Sequence, residues 1–165
     1  MNKSIKEYAR YNLWANKQIV LGLERFSEEL WTKRDKSSFG SVSSTVVHVW
    51  WAEKLWTQRL SKVTPDYRFP SSVPKETTLS GWIADSKKFT DLILNFNQSE
   101  LEEIINYSTS KGSKYSNARI NMCHHCINHS TYHRGQLVLM MRLHGFTDVP
   151  STDYITFLNL MNNEA

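Results

Sequence analysis

Between Asn117 and His144 the chain carries a helical apolar period interrupted by nitrogen-bearing side chains, and no other stretch restricts the fold as tightly. Met122, Cys126, His129, His133, Gln136, Met140 and Leu143 fall at alternating steps of four and three, the inward stripe of a helix packed in a bundle. His129, His133 and Gln136 put imidazole or amide where hydrocarbon is expected. Burying such groups without a partner costs free energy, so the fold must supply one. Residues four apart on a helix sit about 6 Å apart at Cβ, so two imidazoles can converge on one divalent ion. A pair still leaves such an ion short of the three or four ligands it needs.

A third candidate comes from the middle of the chain. From Val42 to Ser61 the sequence reads as a helix that is apolar on nearly every side, with Val46, Val47, Val49, Trp50, Trp51, Leu55 and Trp56 surrounding His48. Taken alone, His48 is a core histidine bonded to a carbonyl. Beside His129 and His133 it becomes the natural third ligand. A rival cluster of Cys123, His124, His125 and Cys126 fails on angle, because four successive helical residues cannot face one ion. Cys126 then packs as a small apolar residue, and His125 supports a ligand or the structure.

The remaining segments complete an all-α bundle. Ser4 to Phe26 forms a first helix with Ile5, Tyr8, Asn12, Ala15, Ile19, Gly22 and Phe26 inward, and the buried Asn12 amide needs a partner. Residues 62–78 hold Pro65, Pro70 and Pro74 and no clean period, which marks a long surface connection. Leu79 to Phe96 is the third long helix, and Ile104 to Asn117 alternates around Lys111-Gly112 as a small hairpin. The fourth helix stops at Gly145, and Tyr154 to Leu160 forms a short last helix. Four long helices and a minor hairpin make a four-helix bundle, and residues 1–165 are expected to be a single domain.

Composition narrows the function classes. A formal charge of +4 comes from scattered Lys and Arg, so nucleic-acid binding is not indicated. No stretch reaches the length of a membrane span, and the charged residues Lys6, Glu7 and Arg10 are unlike a signal peptide. The two cysteines lie three apart on one helix and give no sign of a secreted disulfide scaffold, so the expected location is cytoplasmic.

Tyr11-Asn12-Leu13-Trp14-Ala15-Asn16, Phe39-Gly40-Ser41, the segment from His48 to Trp56, and Asn128-His129-Ser130-Thr131-Tyr132-His133-Arg134-Gly135-Gln136 together resemble the DinB family. The match continues through Gly145, Pro150, Asp153 and Tyr154. The resemblance implies a bundle of up-down-down-up connectivity, a homodimer, and one divalent metal held by His48, His129 and His133. It also implies kinship with metal-dependent transferases and isomerases that use low-molecular-weight thiols, although many members have no assigned activity.

Three neutral ligands leave coordination positions open and the ion's charge uncompensated, which favours an incoming anion. The expected protein is a thiol S-transferase-like enzyme of a small-molecule substrate; a small metal-dependent hydrolase and a non-catalytic metal-binding or interaction bundle are the alternatives. Imidazole suits Zn, Ni, Cu and Fe, with Zn or Ni expected. No catalytic residue is assigned, and Glu53 is a weak general-base candidate because of its angular offset from His48. Trp14, Trp51 and Tyr132 are candidates to wall an apolar pocket. Gly135, a mid-helix glycine, is expected to mark a close helix–helix approach.

Overall fold

Four long helices frame the protein, and their polar cross-links fix which way each one runs. The computed structural model describes residues 2–70 and 73–163. In order the elements are α1 (Asn2–Leu23), α2 (Glu28–Thr32), α3 (Val42–Leu60), α4 (Lys75–Asn95), α5 (Gln98–Glu102), β1 (Ile104–Ser108), β2 (Lys114–Ala118), α6 (Arg119–Leu143) and α7 (Tyr154–Asn163). Lys6 Nζ reaches the Leu94 carbonyl at 2.7 Å and Asn16 Nδ2 reaches Ser86 Oγ at 2.8 Å, so α1 and α4 are antiparallel. Val46 and Val49 pack with Leu79 and Trp82, while Leu60 packs with Phe89 and Ile93, so α3 and α4 are parallel. Glu53 meets Ser130 at 3.3 Å and Leu60 O accepts from Arg119 Nε at 3.2 Å, with Thr45 near Met140 at the other end, so α6 opposes α3. The connectivity is up-down-down-up.

The parallel pair explains the long connection between α3 and α4, because the chain must return the length of the bundle before starting again. Ser71 and Ser72 of that connection lie outside the described residues. The third long helix begins at Lys75, one turn before the Leu79 start expected from the apolar period. Its extra turn is polar and invisible to periodicity, and Lys75 Nζ anchors it on the Phe26 carbonyl at 2.6 Å. The hairpin pairs Tyr107 with Tyr115 and turns through Gly112, which takes a left-handed φ of 82°. Gly145 follows the α6 C-cap His144 and takes a left-handed φ of 88°. The last helix lays Phe157 and Tyr154 on Tyr8, Tyr11 and Trp14 of α1. None of the described helices is long and apolar enough to cross a membrane.

The core is divided in two. Ile19, Leu23, Phe26, Trp31, Val46, Trp82, Leu137 and Met141 fill one half, and Ile5, Phe89, Ile93, Leu101, Met122, Cys123 and Cys126 fill the other. Between them lies a polar layer of Asn12, Asn16, Glu53, Ser86, Ser130 and Arg134, all buried. Glu53 Oε1 accepts from Asn12, Asn16 and Ser130 at 2.5, 3.1 and 3.3 Å, and Oε2 accepts from Trp82 Nε1 at 3.1 Å and from the Ser86 hydroxyl. Arg134 Nη1 donates to Asn12 Oδ1 and Asn16 Oδ1 at 2.6 and 2.8 Å, so the two amides relay its charge to the carboxylate.

This layer corrects the inward stripe of α6. Met122, Cys126, His133 and Met140 are buried as expected, His129 and Gln136 are half-buried, and Leu143 is 75% exposed. The buried face is centred on Ser130, Arg134 and Leu137, rotated by one residue from the apolar reading. Polar residues that satisfy one another in the core carry no hydrophobic period. The rotation moves His129 and His133 from the bundle axis to the edge of the α3–α6 seam.

Candidate metal centre

His48 on α3 faces His129 and His133 on α6 across that seam. His129 Nε2 lies 3.0 Å from His48 Nε2 and 3.1 Å from His133 Nε2. The three candidate ligand atoms all fall within 4.8 Å of one another, and this is the one such group of His, Cys, Asp or Glu among the described residues. His133 Nδ1 donates to Gln136 Oε1 at 2.7 Å, which leaves its Nε2 lone pair pointing at the other rings.

Hydrogen bonding alone leaves this cluster short. A neutral imidazole has one donor and one acceptor, so three converging nitrogens cannot all be matched by sharing protons. His129 Nδ1 is also buried without a partner. Burial first, and then the charge of His133, lower the His48 pKa to about 4. Burial, followed by the charges of His133, His48 and His125, lowers His129 to about 3. Both rings are therefore neutral at pH 7 and offer lone pairs. Tetrahedral zinc with Zn–N bonds of about 2.0–2.1 Å sets its nitrogens about 3.3 Å apart, close to the spacing found here. The donor set fits one divalent ion.

The loop before α3 covers the cluster. Gly40 turns with a left-handed φ of 79°, and Ser41 caps α3 by accepting from the Ser44 amide at 3.1 Å. Phe39 is thereby stacked on His48, with ring centroids 4.1 Å apart, and set edge-on to His133 at 5.5 Å. Tyr132, 63% exposed, meets His133 edge-on at 5.0 Å. Of the expected pocket walls, Trp14 lies beneath α7 against Phe157 at 5.7 Å, and Trp51 lies against Phe69 at 6.3 Å.

Other candidates lie elsewhere. Cys123 and Cys126 are buried in the apolar half next to Met122 and Ile127, and His124 and His125 point outward. Glu53 is turned into the polar layer, away from the imidazoles. Burial raises its pKa, against the pull of Ser86, Asn12, Arg134 and Asn16. Gly135 is exposed, and a Cβ built there meets nothing within 4 Å, so it does not mark a helix–helix approach. Phe39 and the His133–Gln136 pairing had weaker signals in the sequence: a Phe-Gly-Ser loop string, and a glutamine three residues after a histidine.

The fold recurs in a protein of known structure. Protein DinB of Bacillus subtilis (strain 168) is 27% identical over 164 residues, covering 93% of each chain. The crystal structure of a DinB-like protein from Bacillus subtilis matches with a TM-score of 0.68 at 14% identity, over 88% of this chain and 97% of that one; at that identity it speaks for the fold. The profile of the DinB family matches residues 1–164, nearly the full length that carries the bundle and all three histidines, and the chain belongs to that family.

Proposed function

We propose that His48, His129 and His133 together hold one divalent transition-metal ion, Zn or Ni, in an enzyme that uses a low-molecular-weight thiol or water to attack a small electrophilic substrate. The convergence of the three Nε2 atoms, with the outer nitrogen of His133 taken by Gln136, carries this reading. A divalent ion with three neutral ligands and an open position lowers the pKa of a thiol or water and so supplies a nucleophile at neutral pH.

The chain's own residues set the conditions. Gln136 fixes the tautomer of His133, and Phe39 shields one side of His48 and His133 from water. Among the described residues no carboxylate joins the cluster, and Glu53 is held by five donors in the polar layer. A thiol, being far more acidic than water, needs no separate base, and this favours thiol transfer over hydrolysis. A homodimer is the proposed assembly, supported by the large apolar side chains of Tyr132, Leu139 and Leu143 exposed on α6.

The test is transfer of a cofactor thiol to a generic electrophile by the purified protein. Turnover should require metal, vanish in His133→Ala and persist in Cys126→Ala. Activity that survives metal removal but is lost with Cys126 overturns the mechanism. Silence across a broad thiol and ester panel leaves the non-catalytic metal-binding bundle ahead.

A further inference from the structure

Arg59 is a buried charge that the metal centre does not use. It lies eleven residues beyond His48 on α3, roughly 16 Å along the helix axis at 1.5 Å per residue. The residue is 9% exposed. Its Cζ stands 4.6 Å from the Trp56 ring centroid, 5.3 Å from Tyr107 and 5.9 Å from Tyr67. These rings hold a cation in place but do not satisfy its N–H donors. Nε has no partner among the described residues, and Nη2 has a long contact of 3.4 Å to the Tyr67 hydroxyl. Among the described residues no carboxylate forms an ion pair with it.

The other two buried arginines are provided for. Arg119 pairs with Glu103 at 3.0 Å and donates to the Leu60 and Glu100 carbonyls. Arg134 also leaves its Nε bare, but its two terminal nitrogens donate to Asn12, Asn16 and Thr131. A buried guanidinium with neither counterion nor good acceptors is costly, and an anion from outside removes that cost.

The space beside Arg59 suits one kind of anion. A cleft of about 240 Å³ is lined by Arg59 with Trp56, Tyr107, Tyr115, Asn117, Asn121 and His125 among its walls, and none of the described residues that line it is a carboxylate. The larger cleft that Arg59 also lines, about 520 Å³, holds the Lys62–Glu103 ion pair and is not walled by Trp56. We propose that the smaller cleft binds a small organic carboxylate with a flat apolar body, its carboxylate on the Arg59 guanidinium and its body among Trp56, Tyr107 and Tyr115. The planar fork of arginine matches a carboxylate, and a single cation matches a single negative charge.

The cleft also lies close to the metal centre. His125 packs on Trp56 with ring centroids 4.7 Å apart and lies 6.2 Å from the His129 ring, one turn away on α6. An anchor there holds the anionic end of a substrate of the proposed reaction. That use rests on the proposed function; the binding itself does not.

The probe is benzoate, titrated into the full chain after EDTA treatment and again with zinc added, and read by the NMR signal of the Arg59 Nε–H. The stripped protein separates this cleft from any carboxylate bound at a metal. Benzoate should bind saturably in both forms and shift that signal, while neutral benzamide and inorganic phosphate should not. Arg59→Gln should weaken benzoate by about tenfold or more, as loss of a charge-assisted hydrogen bond implies. Asn121→Asp, at an exposed rim position where folding is undisturbed, should weaken it comparably by repulsion. Equal benzoate binding in both variants, equal binding of benzamide, preference for phosphate, or no benzoate binding by the folded parent overturns the proposal. Benzoate binding without any uptake of zinc contradicts the metal reading alone.

Discussion

Gln136 Oε1 lies 2.7 Å from His133 Nδ1 and accepts a hydrogen bond from it, so one turn of α6 carries both a candidate ligand and the group that orients it. Outer partners of this kind fix the ring and raise its basicity. Gln136→Ala should therefore weaken zinc binding about 10–100-fold while leaving the fold intact, since Gln136 is half-buried and outside both core clusters. Competition against a chromophoric chelator measures it. Unchanged affinity means that packing alone orients His133.

Glu53 and Arg134 hold the polar layer together through Asn12 and Asn16. Glu53→Gln removes the counterion of a buried guanidinium and turns an amide N–H₂ toward donors such as Trp82 Nε1. The expected loss of stability is about 3–5 kcal/mol, as for breaking one side of a buried charge pair. A urea titration should show a lower midpoint at unchanged slope. A loss below about 1 kcal/mol would mean that the layer is held by the neutral amides and hydroxyls.

The cysteines should be silent in the folded protein. Burial pushes Cys123 up to about 12 and raises Cys126 well above its usual value. A thiol reagent at pH 8 should label neither cysteine in the native state and both in denaturant. A raised folded pKa contributes stability that is fully present below the unfolded value of 9.0 and is lost as pH climbs toward about 12. Between those limits the parent should lose stability with pH more steeply than Cys123→Ala does. Equal slopes would show that the thiol is ionised in the folded state.

Gly135 occupies an exposed position inside α6 with nothing near its missing Cβ. Alanine there adds helix propensity without a clash. Gly135→Ala should raise stability by about 0.5–1 kcal/mol in a denaturant titration. Destabilisation would reveal a close approach made only in an assembly of chains.

Much of the framework was legible because it obeys local rules. The four long helices follow apolar periods, and Gly112 and Gly145 stand where left-handed backbone is needed. The three histidines grouped from the sequence lie together because the antiparallel α3 and α6 bring His48 beside an i, i+4 pair. What stayed hidden is polar and non-local. Ser130 and Arg134 look like surface residues until Glu53, Asn12 and Asn16 arrive from other helices. The buried face of α6 therefore lies one residue away from its apolar period, and Leu143, inward by that period, is exposed. Arg59 gave no signal because its surroundings, Trp56, Tyr67 and Tyr107, come from one helix, one connection and one strand.

Elemental analysis of the purified protein beside His48→Ala, His129→Ala and His133→Ala decides whether the three histidines share one metal ion. A shared three-histidine site predicts about one divalent transition-metal ion per parent chain and a large loss of it in each of the three variants, each still helical by circular dichroism. Undiminished metal in the folded variants, or a folded parent that takes up no such ion when zinc or nickel is supplied, contradicts it.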